Sequence, residues 1–446
     1  MNWRIKFPAS AFGELREALL ASAPKEAGAI LLANHGGPNC LLIDEIRVAT
    51  PADYVVQEAH RLEFAPSFLA SAVKAARDRC QSLILVHTHP ECVDPEFSVV
   101  DDDGEALLIP AISARAQTGV HGALVVGKSG FKARVYVDEK PEPVEKVIEV
   151  GSRVFAYVRE GAAGSVAEIF DRNVRALGQS GQRVLGRTRV GIVGLGGTGS
   201  IVAEQLAYLG VRSFVLIDND PLAATNLNRV VGTVPDDVGV QKVVCCQRHI
   251  DRISAGHATV DAIVGSVLDQ SVARHLLDCD AVFNCTDTHA SRAIVNQLSY
   301  QYFIPAIDLG VRIDAQDGEI SAMAGRVQML APELACLQCQ ALLDPEIVRR
   351  ELLSEDARRA DPYIVGEDVP QPSVISLNGT IASLAVTTFL GAWIGLPIQG
   401  RRLNYRIREG LVRGVSSQPN PDCIVCSKSR GAFGKGESWP VFWRPE

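Results

Sequence analysis

Two histidines and an aspartate form the first group of residues whose types and spacing suggest chemistry. His87-Thr-His89-Pro90 follows the apolar run SLILVH, and Ser98-Val-Val-Asp101 begins eight residues after the proline. Two His residues at alternate positions of a strand end can turn toward one ion, and a carboxylate from a nearby helix supplies a third ligand. Three protein ligands leave the fourth position of a zinc ion for water, whose pKa the ion lowers toward neutrality. The pattern therefore predicts zinc-dependent hydrolysis.

This combination of motifs resembles the JAB/MPN (JAMM) metalloprotease family, which cleaves peptide or isopeptide bonds after ubiquitin-like C-termini. The resemblance implies that His87, His89 and Asp101 bind Zn²⁺ and that Ser98 stabilises the tetrahedral oxyanion. It also implies that Glu26, in a Glu-Ala-Gly context before an early strand, is the general base. The alternative is a metal-free domain that only binds a ubiquitin-like partner.

A glycine-rich turn forms the second group. The run RVGIVGLGGTGS reads as a strand, a turn and the start of a helix, so its backbone N–H groups can hold phosphates at the positive end of a helix dipole. Asp218 ends the next strand-like run about twenty residues later, where an acid suits ribose hydroxyls. Taken alone, this pattern also allows a nicotinamide or flavin oxidoreductase. The glycines concerned are Gly194, Gly196, Gly197 and Gly199.

Charged and polar residues that follow favour a triphosphate over a dinucleotide. Arg229 and Lys242 add two cations near the phosphates, and Asp287 ends a later strand where it can hold Mg²⁺. Asp220 and Asn226 are secondary candidates for nucleotide binding. Simpler interpretations remain open, because Arg229 would suit a surface ion pair, Lys242 a solvated helix start and Asp287 a helix cap.

This second set resembles the ubiquitin-activating superfamily over about residues 165–430. Bacterial members adenylate the C-terminal glycine of sulfur carriers, so the resemblance implies ATP and Mg²⁺ as cofactors. In that family an Arg before the glycine turn reaches across a dimer interface to the nucleotide. Arg172, in the segment IFDRNV, is the matching position and implies a homodimer.

Two Cys-x-x-Cys pairs separated by about eighty residues offer four thiolates, enough for a closed tetrahedral zinc. The activating-enzyme resemblance implies a structural Zn²⁺ here. Many family members also carry a catalytic Cys after the first pair, but residues 340–377 contain none, so a thioester intermediate is in doubt. The four ligands would be Cys336, Cys339, Cys423 and Cys426.

Strand-like and helix-like runs alternate along the chain and must position these groups. The alternation predicts an α/β protein. A JAB-type α/β domain is expected at 1–145, with a boundary near the proline-containing, charged segment 140–146. A Rossmann-like domain with a mostly parallel sheet is expected at 146–446. Expected strands are 28–34, 40–50, 82–87, 122–127, 213–220 and 281–287, and the apolar run that opens 189–200 is also expected to be a strand. Expected helices are 61–80, 200–210, 239–253 and 289–303.

Composition excludes several classes of function. The 446 residues carry a formal net charge of −8, which disfavours sequence-independent nucleic-acid binding. The N-terminus lacks the apolar core of a signal peptide, so we expect a cytoplasmic protein with reduced thiols. The uncharged stretch 369–400 contains many Ser, Thr and Pro residues, which favours a buried or dimer-facing helix over a membrane span.

The sequence thus predicts one polypeptide that adenylates the C-terminal glycine of a ubiquitin-like protein and processes that protein or its conjugates as a zinc (iso)peptidase. The expected partner has a flexible tail ending in glycine, and a conjugating enzyme is a further candidate partner. The alternatives are an adenylyltransferase for a sulfur carrier in cofactor synthesis, and a binding scaffold with an inactive peptidase domain.

Overall fold

The chain forms two compact units. A computed structural model describes residues 3–158, 167–316, 319–353, 372–441 and 443–444. One unit comprises Met1–Ala163 with Gly434–Pro440, and the other comprises Gly164–Phe433 with Val441–Glu446.

The first unit is built on a mixed eight-stranded sheet in the order β1-β3-β2-β6-β7-β8-β9-β10, which closes on itself because β1 also pairs with β9. Strand β2 is almost completely buried, which explains its continuous apolar run. The elements are β1 (Trp3–Pro8), α1 (Ala11–Leu20), β2 (Gly28–His35), β3 (Cys40–Val48), β4 (Tyr54–Gln57), β5 (Leu62–Phe64), α2 (Pro66–Arg79), β6 (Ser82–Thr88), α3 (Val99–Ala116), β7 (Val120–Val126), β8 (Phe131–Val137), β9 (Lys140–Val150) and β10 (Val154–Val158).

The segment at which the sequence analysis divides the domains is part of β9. Residues 140–143 pair only with β8, whereas pairing with β1 begins at Val144. Pro141 and Pro143 therefore lie where the strand has a neighbour on one side, the position in a sheet where a missing N–H is tolerated. Proline and charge alone do not distinguish such an edge from a linker.

The helix expected over 61–80 begins later than its periodicity suggests. Leu62–Phe64 forms β5, which pairs with β4, and the helix starts at Pro66. Proline suits the first helical turn because its missing N–H has no helical partner there, and it forces the preceding residue into an extended conformation. Ala65 is accordingly extended, with ψ of 137°.

The second unit is a mixed sheet in the order β13-β12-β11-β14-β15-β16-β17-β18. The first five strands in this order are parallel, and the last four form an antiparallel extension through three pairings. The expectation of a mostly parallel sheet therefore applies only to one half. The elements are α4 (Asp171–Arg187), β11 (Arg189–Val193), α5 (Gly199–Tyr208), β12 (Ser213–Asp218), α6 (Lys242–Ser254), β13 (Thr259–Val264), α7 (Gln270–Ala273), β14 (Ala281–Asn284), α8 (His289–Gln301), β15 (Ala306–Gln316), β16 (Glu319–Leu330), α9 (Pro345–Leu352), α10 (Ile375–Trp393), β17 (Arg402–Arg406) and β18 (Leu411–Gly414).

Helix α10 covers the antiparallel extension. It packs against α5, β15 and β16, and Ile381, Ala385 and Phe389 on it are fully or almost fully buried. Within the described part of the chain it is the one helix long and apolar enough to cross a membrane, and half of that apolar window is buried. Its packing is that of a core helix.

Candidate active sites

The two histidines and the aspartate of the first motif converge in the first unit. His87 lies near the end of β6, and His89 follows one residue after the strand. The His87 Nε2 lies 3.0 Å from Asp101 Oδ1, His89 Nε2 lies 3.5 Å from Asp101 Oδ2, and the two imidazole nitrogens are 3.3 Å apart. A tetrahedral zinc with ligands at about 2.0–2.1 Å separates its ligand atoms by roughly 3.4 Å. The three side chains therefore fit one Zn²⁺.

Helix α3 determines which of three consecutive aspartates points into this site. Ser98 caps the helix, since its Oγ accepts from the Asp101 N–H at 3.2 Å and its N–H donates to Asp101 Oδ2 at 2.6 Å. Asp102 instead pairs with Arg134 at 2.7 Å. Burial would raise the pKa of Asp101, but hydrogen bonds from the two imidazoles hold it well below its usual range. The Ser98 hydroxyl contacts the helix, and its predicted role at the oxyanion remains a prediction.

Glu26 reaches the same site because β2 and β6 are paired. Gly28 lies opposite His87 in the antiparallel ladder, and the Thr88 hydroxyl accepts from the Ala27 N–H at 2.9 Å. The Glu26 carboxylate is thereby held 3.9 Å from His89 Nε2 and is 7% exposed as a residue. Burial raises its pKa above the ordinary value, which suits a group that must accept and return a proton.

The glycine turn between β11 and α5 requires glycine at two positions, Gly194 and Gly199, whereas a Cβ at Gly197 would meet only the end of the Asn378 side chain. Gly194 has φ of +85°, a Cβ at Gly199 would lie 1.8 Å from the Gly194 carbonyl oxygen, and a Cβ at Gly197 would lie 2.3 Å from Asn378 Nδ2. A Cβ at Gly196 would meet no atom within 4 Å, so this part of the turn is open. Such a turn leaves room for phosphates beside its backbone.

Asp218, at the end of β12, contacts this turn, and Lys242, the first residue of α6, lies beside Asp218. One Asp218 oxygen accepts from the Leu195 N–H at 2.6 Å and the other accepts from the Asp220 N–H at 2.9 Å. Burial raises the pKa of Asp218. Lys242 Nζ lies 2.8 Å from Asp220 Oδ2 and 3.8 Å from Asp218 Oδ1, and the residue is buried. Lys242 is therefore a buried cation paired with two aspartates, not a solvated residue at the start of a helix.

Arg229 lies against the same turn. Its Cγ and Cδ are 3.3 Å from the position of a Cβ on Gly197, and its guanidinium donates to the Thr225 carbonyl and the Asn228 side chain. Among the described residues it has no carboxylate partner, so the surface ion pair considered above is not formed there. Asn226 instead accepts from the Ala223 N–H and stabilises the local turn.

Asp287 follows β14, whose carboxyl end lies on the same edge as those of β11 and β12 because the three strands are parallel. It is exposed and has no hydrogen-bond or ion-pair partner within the described ranges. The helix-cap interpretation is wrong, because Thr288 caps α8. A free carboxylate at this edge is a suitable ligand for Mg²⁺.

Arg172, in the first turn of α4, is also exposed and contacts no acceptor in the part of the chain that the structure describes. Asn378 is a residue that the sequence analysis did not identify. Its amide lies against Gly197 and donates to Ser373 Oγ at 3.0 Å. Because Asn378 is distant in sequence from every motif, spacing gives no signal for it.

The four cysteines of the two Cys-x-x-Cys pairs meet in the second unit. Their sulfurs lie 3.6 Å apart for Cys336 with Cys339, 3.6 Å for Cys336 with Cys423 and 3.3 Å for Cys339 with Cys426. These separations exceed a disulfide bond of about 2.05 Å and approach the roughly 3.8 Å edge of a tetrahedral zinc–sulfur site. The set therefore fits a closed Zn²⁺ site.

Other cysteines of the second unit are poor nucleophiles. Cys245 and Cys246 are buried, and burial raises the pKa of Cys246 to about 12. Burial also raises the pKa of Cys285. Residues 354–371, which include part of the segment without cysteine, lie outside the described residues.

Metal analysis provides a first prediction. The full chain is expected to retain about two zinc ions after gentle purification, because two separate ligand sets fit the metal. The variants His87→Ala and Cys423→Ser should each lower the content to about one. Atomic absorption measures this, with Cys80→Ser, which changes an exposed thiol outside both sets, as the control. Loss of both ions in either variant, or none in the purified chain, would contradict the assignment.

Comparisons with known proteins match both halves of the chain. The sequence model of the ThiF family matches residues 170–425. The model described as prokaryotic homologs of the JAB domain matches residues 8–134. The chain therefore joins a JAB-like domain to a ThiF-type domain, as the motifs predict.

Individual relatives each match a little over half of the chain. The SAMP-activating enzyme E1 of Haloferax volcanii is 26% identical over 254 residues, covering 56% of this chain and 85% of that protein. Molybdopterin-synthase adenylyltransferase of Escherichia coli is 25% identical over 57% of this chain and 93% of its own length. The chain spans only 57% of adenylyltransferase and sulfurtransferase MOCS3 of Caenorhabditis briggsae, at 29% identity.

Among solved structures, E. coli MccB with ATP aligns at a TM-score of 0.47 and 21% identity, covering 61% of this chain and 77% of that one.

Proposed function

The chain belongs to the ThiF family, and from this premise we propose that its second unit adenylates the C-terminal glycine of a ubiquitin-like or sulfur-carrier protein. One observation carries the proposal: an open glycine turn, two cations and a free carboxylate lie along one edge of the parallel strands. The relatives named SAMP-activating enzyme E1 and molybdopterin-synthase adenylyltransferase support this kind of substrate.

In the proposed reaction the terminal carboxylate of the partner attacks the α-phosphorus of ATP. A bond forms between the carboxylate oxygen and phosphorus, and the bond to pyrophosphate breaks. The glycine-turn N–H groups hold the phosphates, while Arg229 and Lys242 offset the negative charge of the transition state. Asp287 would hold Mg²⁺, which when bound neutralises phosphate charge.

No exposed cysteine beside the nucleotide edge supports a thioester step within the described residues. The acyl-adenylate would then pass directly to a nucleophile of another protein. ATP–pyrophosphate exchange, measured with a panel of ubiquitin-like and sulfur-carrier proteins, tests the adenylation step. Exchange should depend on the protein and on its terminal glycine, and exchange with no member of the panel would overturn the proposal.

We further propose that the first unit is a zinc peptidase acting on the same carboxyl end. His87, His89 and Asp101 would hold Zn²⁺, which when bound activates water and polarises a carbonyl. Glu26 takes the proton of the attacking water and returns it to the leaving amine, a role suited to a buried carboxyl with a raised pKa. Ser98 would donate its hydroxyl proton to the oxyanion while its Oγ continues to accept from the Asp101 N–H.

A second candidate function is adenylation for sulfur transfer in cofactor synthesis. The relatives named molybdopterin-synthase adenylyltransferase and MOCS3 favour it. The products distinguish the two, since sulfur transfer gives a carrier thiocarboxylate, whereas conjugation gives a protein joined to a second protein.

The exposed Arg172 leads to a prediction about assembly. If it completes the site of a partner subunit, Arg172→Ala and Asp287→Asn proteins are each inactive alone. Mixed in equal amounts, they should regain about a quarter of the wild-type exchange rate, because half of the dimers carry one intact site of two. Arg175→Ala, one helical turn away, is the control for Arg172. Absence of recovery, after subunit exchange is verified, would contradict a shared site.

A further inference from the structure

The loop that carries Asp287 lies against the glycine turn. It joins β14 to α8 and comprises residues 285–288. A Cβ on Gly194 would lie 3.1 Å from the Cys285 carbonyl oxygen, and a Cβ on Gly199 would lie 3.3 Å from Cys285 Cβ. The start of the loop is therefore fixed beside the turn. The Asp287 carboxylate has no partner of its own among the described residues, so its position depends on the backbone on either side of it.

Arg292 of α8 holds this backbone in place. Its Nη2 donates to the Thr286 carbonyl at 2.8 Å and to the Leu309 carbonyl of β15 at 3.1 Å. Thr286 is the residue directly before Asp287. The Nη1 of Arg292 lies 2.8 Å from Asp308 Oδ2, and only 13% of the arginine side chain is exposed. One largely buried guanidinium thus joins the loop to the neighbouring strand.

Asp308 and Arg326 complete a buried ion cluster around Arg292. Asp308 is fully buried, its Oδ2 lies 2.5 Å from Arg326 Nη2, and its Oδ1 accepts from Asn284 Nδ2 at 2.9 Å. Burial lowers the pKa of Arg326, as expected for a guanidinium removed from water. Apolar residues of similar volume often replace such a cluster without loss of stability. The cluster is therefore better explained by the geometry that it fixes than by the stability that it supplies.

Hydrogen bonds among hydroxyl groups fix the loop on both sides of Asp287. Thr286 Oγ1 donates to Asn284 Oδ1 at 3.0 Å and lies 2.6 Å from Ser291 Oγ. Thr288 Oγ1 accepts from the Ser291 N–H at 3.4 Å as the cap of α8. The residues before and after Asp287 are thus tied to the buried ion cluster or to α8, whereas its carboxylate stays free.

We propose that Arg292 is a positioning residue, which holds the Thr286 carbonyl and thereby keeps the Asp287 carboxylate at the edge of the sheet where it would bind Mg²⁺. The proposal rests on the adenylation proposed above, which assigns this role to Asp287. Arg292 donates to backbone carbonyls and pairs with Asp308, so it acts through Asp287 and not on the nucleotide. Its loss should weaken only the part of ATP binding that depends on the metal.

Titration of the full chain with a fluorescent ATP analogue, in excess Mg²⁺ and in EDTA, tests the proposal. Wild type should bind the analogue about tenfold more tightly with Mg²⁺, and Arg292→Ala should gain less than about threefold from the metal, since the free-energy coupling between bound ligands is usually of this order. In EDTA the two proteins should bind equally well. No gain from Mg²⁺ in wild type, an unchanged gain in Arg292→Ala, or equal losses of affinity with and without Mg²⁺ would overturn the proposal.

A double variant shows whether Arg292 acts through Asp287. Asp287→Asn alone should lose the gain from Mg²⁺, and adding Arg292→Ala should lower the affinity no further, because both changes remove the same effect. Arg312→Ala is the control, since Arg312 lies exposed on β15 and pairs with Asp314, and its gain should equal that of wild type. Additive losses in the double variant would contradict a positioning role.

Gly310→Ala disturbs Arg292 without removing a charge. A Cβ on Gly310 would lie 3.0 Å from Arg292 Nη2, so the guanidinium must shift from the Thr286 carbonyl. This variant should lose part of the gain from Mg²⁺, which keeps the proposal testable if thermal unfolding shows that Arg292→Ala does not fold. A full gain in folded Gly310→Ala would overturn the proposal.

The outcome is separable from that of the proposed function, because binding of the ATP analogue needs no protein partner. A gain from Mg²⁺ that depends on Arg292, without exchange for any protein, would refute only the adenylation. Pyrophosphate exchange by wild type, with an unchanged gain in Arg292→Ala, would refute only the positioning role.

Discussion

Asp287→Asn is expected to lower ATP–pyrophosphate exchange by about a thousandfold, equivalent to about 4 kcal/mol of transition-state stabilisation. The amide keeps the size of the side chain but loses the charge that would hold Mg²⁺. Asp287 is exposed and caps no helix, so the variant should fold as the wild type does. Exchange rates at saturating ATP, together with thermal unfolding curves, measure both effects.

Asp236→Asn provides the matched control for Asp287, because it removes another exposed aspartate of the same unit. It should leave exchange within about twofold of wild type, as surface substitutions usually have small effects. If Asp287→Asn retains more than a tenth of the wild-type rate, the carboxylate does not hold the metal, and the proposed site at this edge is incorrect.

Glu26→Gln is expected to reduce peptidase activity by about 10²–10⁴-fold while the zinc content stays unchanged. The amide cannot accept the proton of the attacking water, but the three metal ligands remain. Cleavage of a ubiquitin-like protein with a C-terminal extension, followed by mass spectrometry, measures the activity. Atomic absorption on the same sample measures the metal.

Asp102→Asn is the control for the first site, since Asp102 neighbours Asp101 but pairs with Arg134. It should cleave at nearly the wild-type rate, whereas Asp101→Asn should lose zinc. A Glu26→Gln protein that cleaves as fast as wild type would show that another group is the base. A wild-type chain that binds zinc but cleaves no such protein would instead support a scaffold.

The elements that were predictable from sequence are those buried on both faces. The strands expected at 28–34, 82–87 and 122–127 are confirmed within a few residues, because fully buried strands read as continuous apolar runs. Strands β15 to β18 were not predicted. They carry polar residues on one face, and β17 pairs with β16 although residues 331–401, which include α9 and α10, separate the two strands.

The same contrast holds for the candidate sites. Residues of one short motif could be predicted to lie together, whereas residues that meet only through strand pairing or helix packing could not. His87, His89 and Asp101 belong to one short motif whose spacing places them on a strand end and the following helix. Glu26 joins them only through the pairing of β2 with β6. Arg292, Asp308 and Arg326 come together from α8, β15 and β16, and no spacing in the sequence indicates such a cluster.

The measurement that tests the central claim most directly is pyrophosphate exchange on a precursor, a ubiquitin-like protein whose terminal glycine is followed by a short extension. The wild-type chain should support exchange with this precursor after a lag in which the extension is removed, and with the mature protein at once. The Glu26→Gln chain should support exchange only with the mature protein. Equal exchange by both chains on the precursor, or none with either protein, would contradict the account that both units act on one carboxyl end.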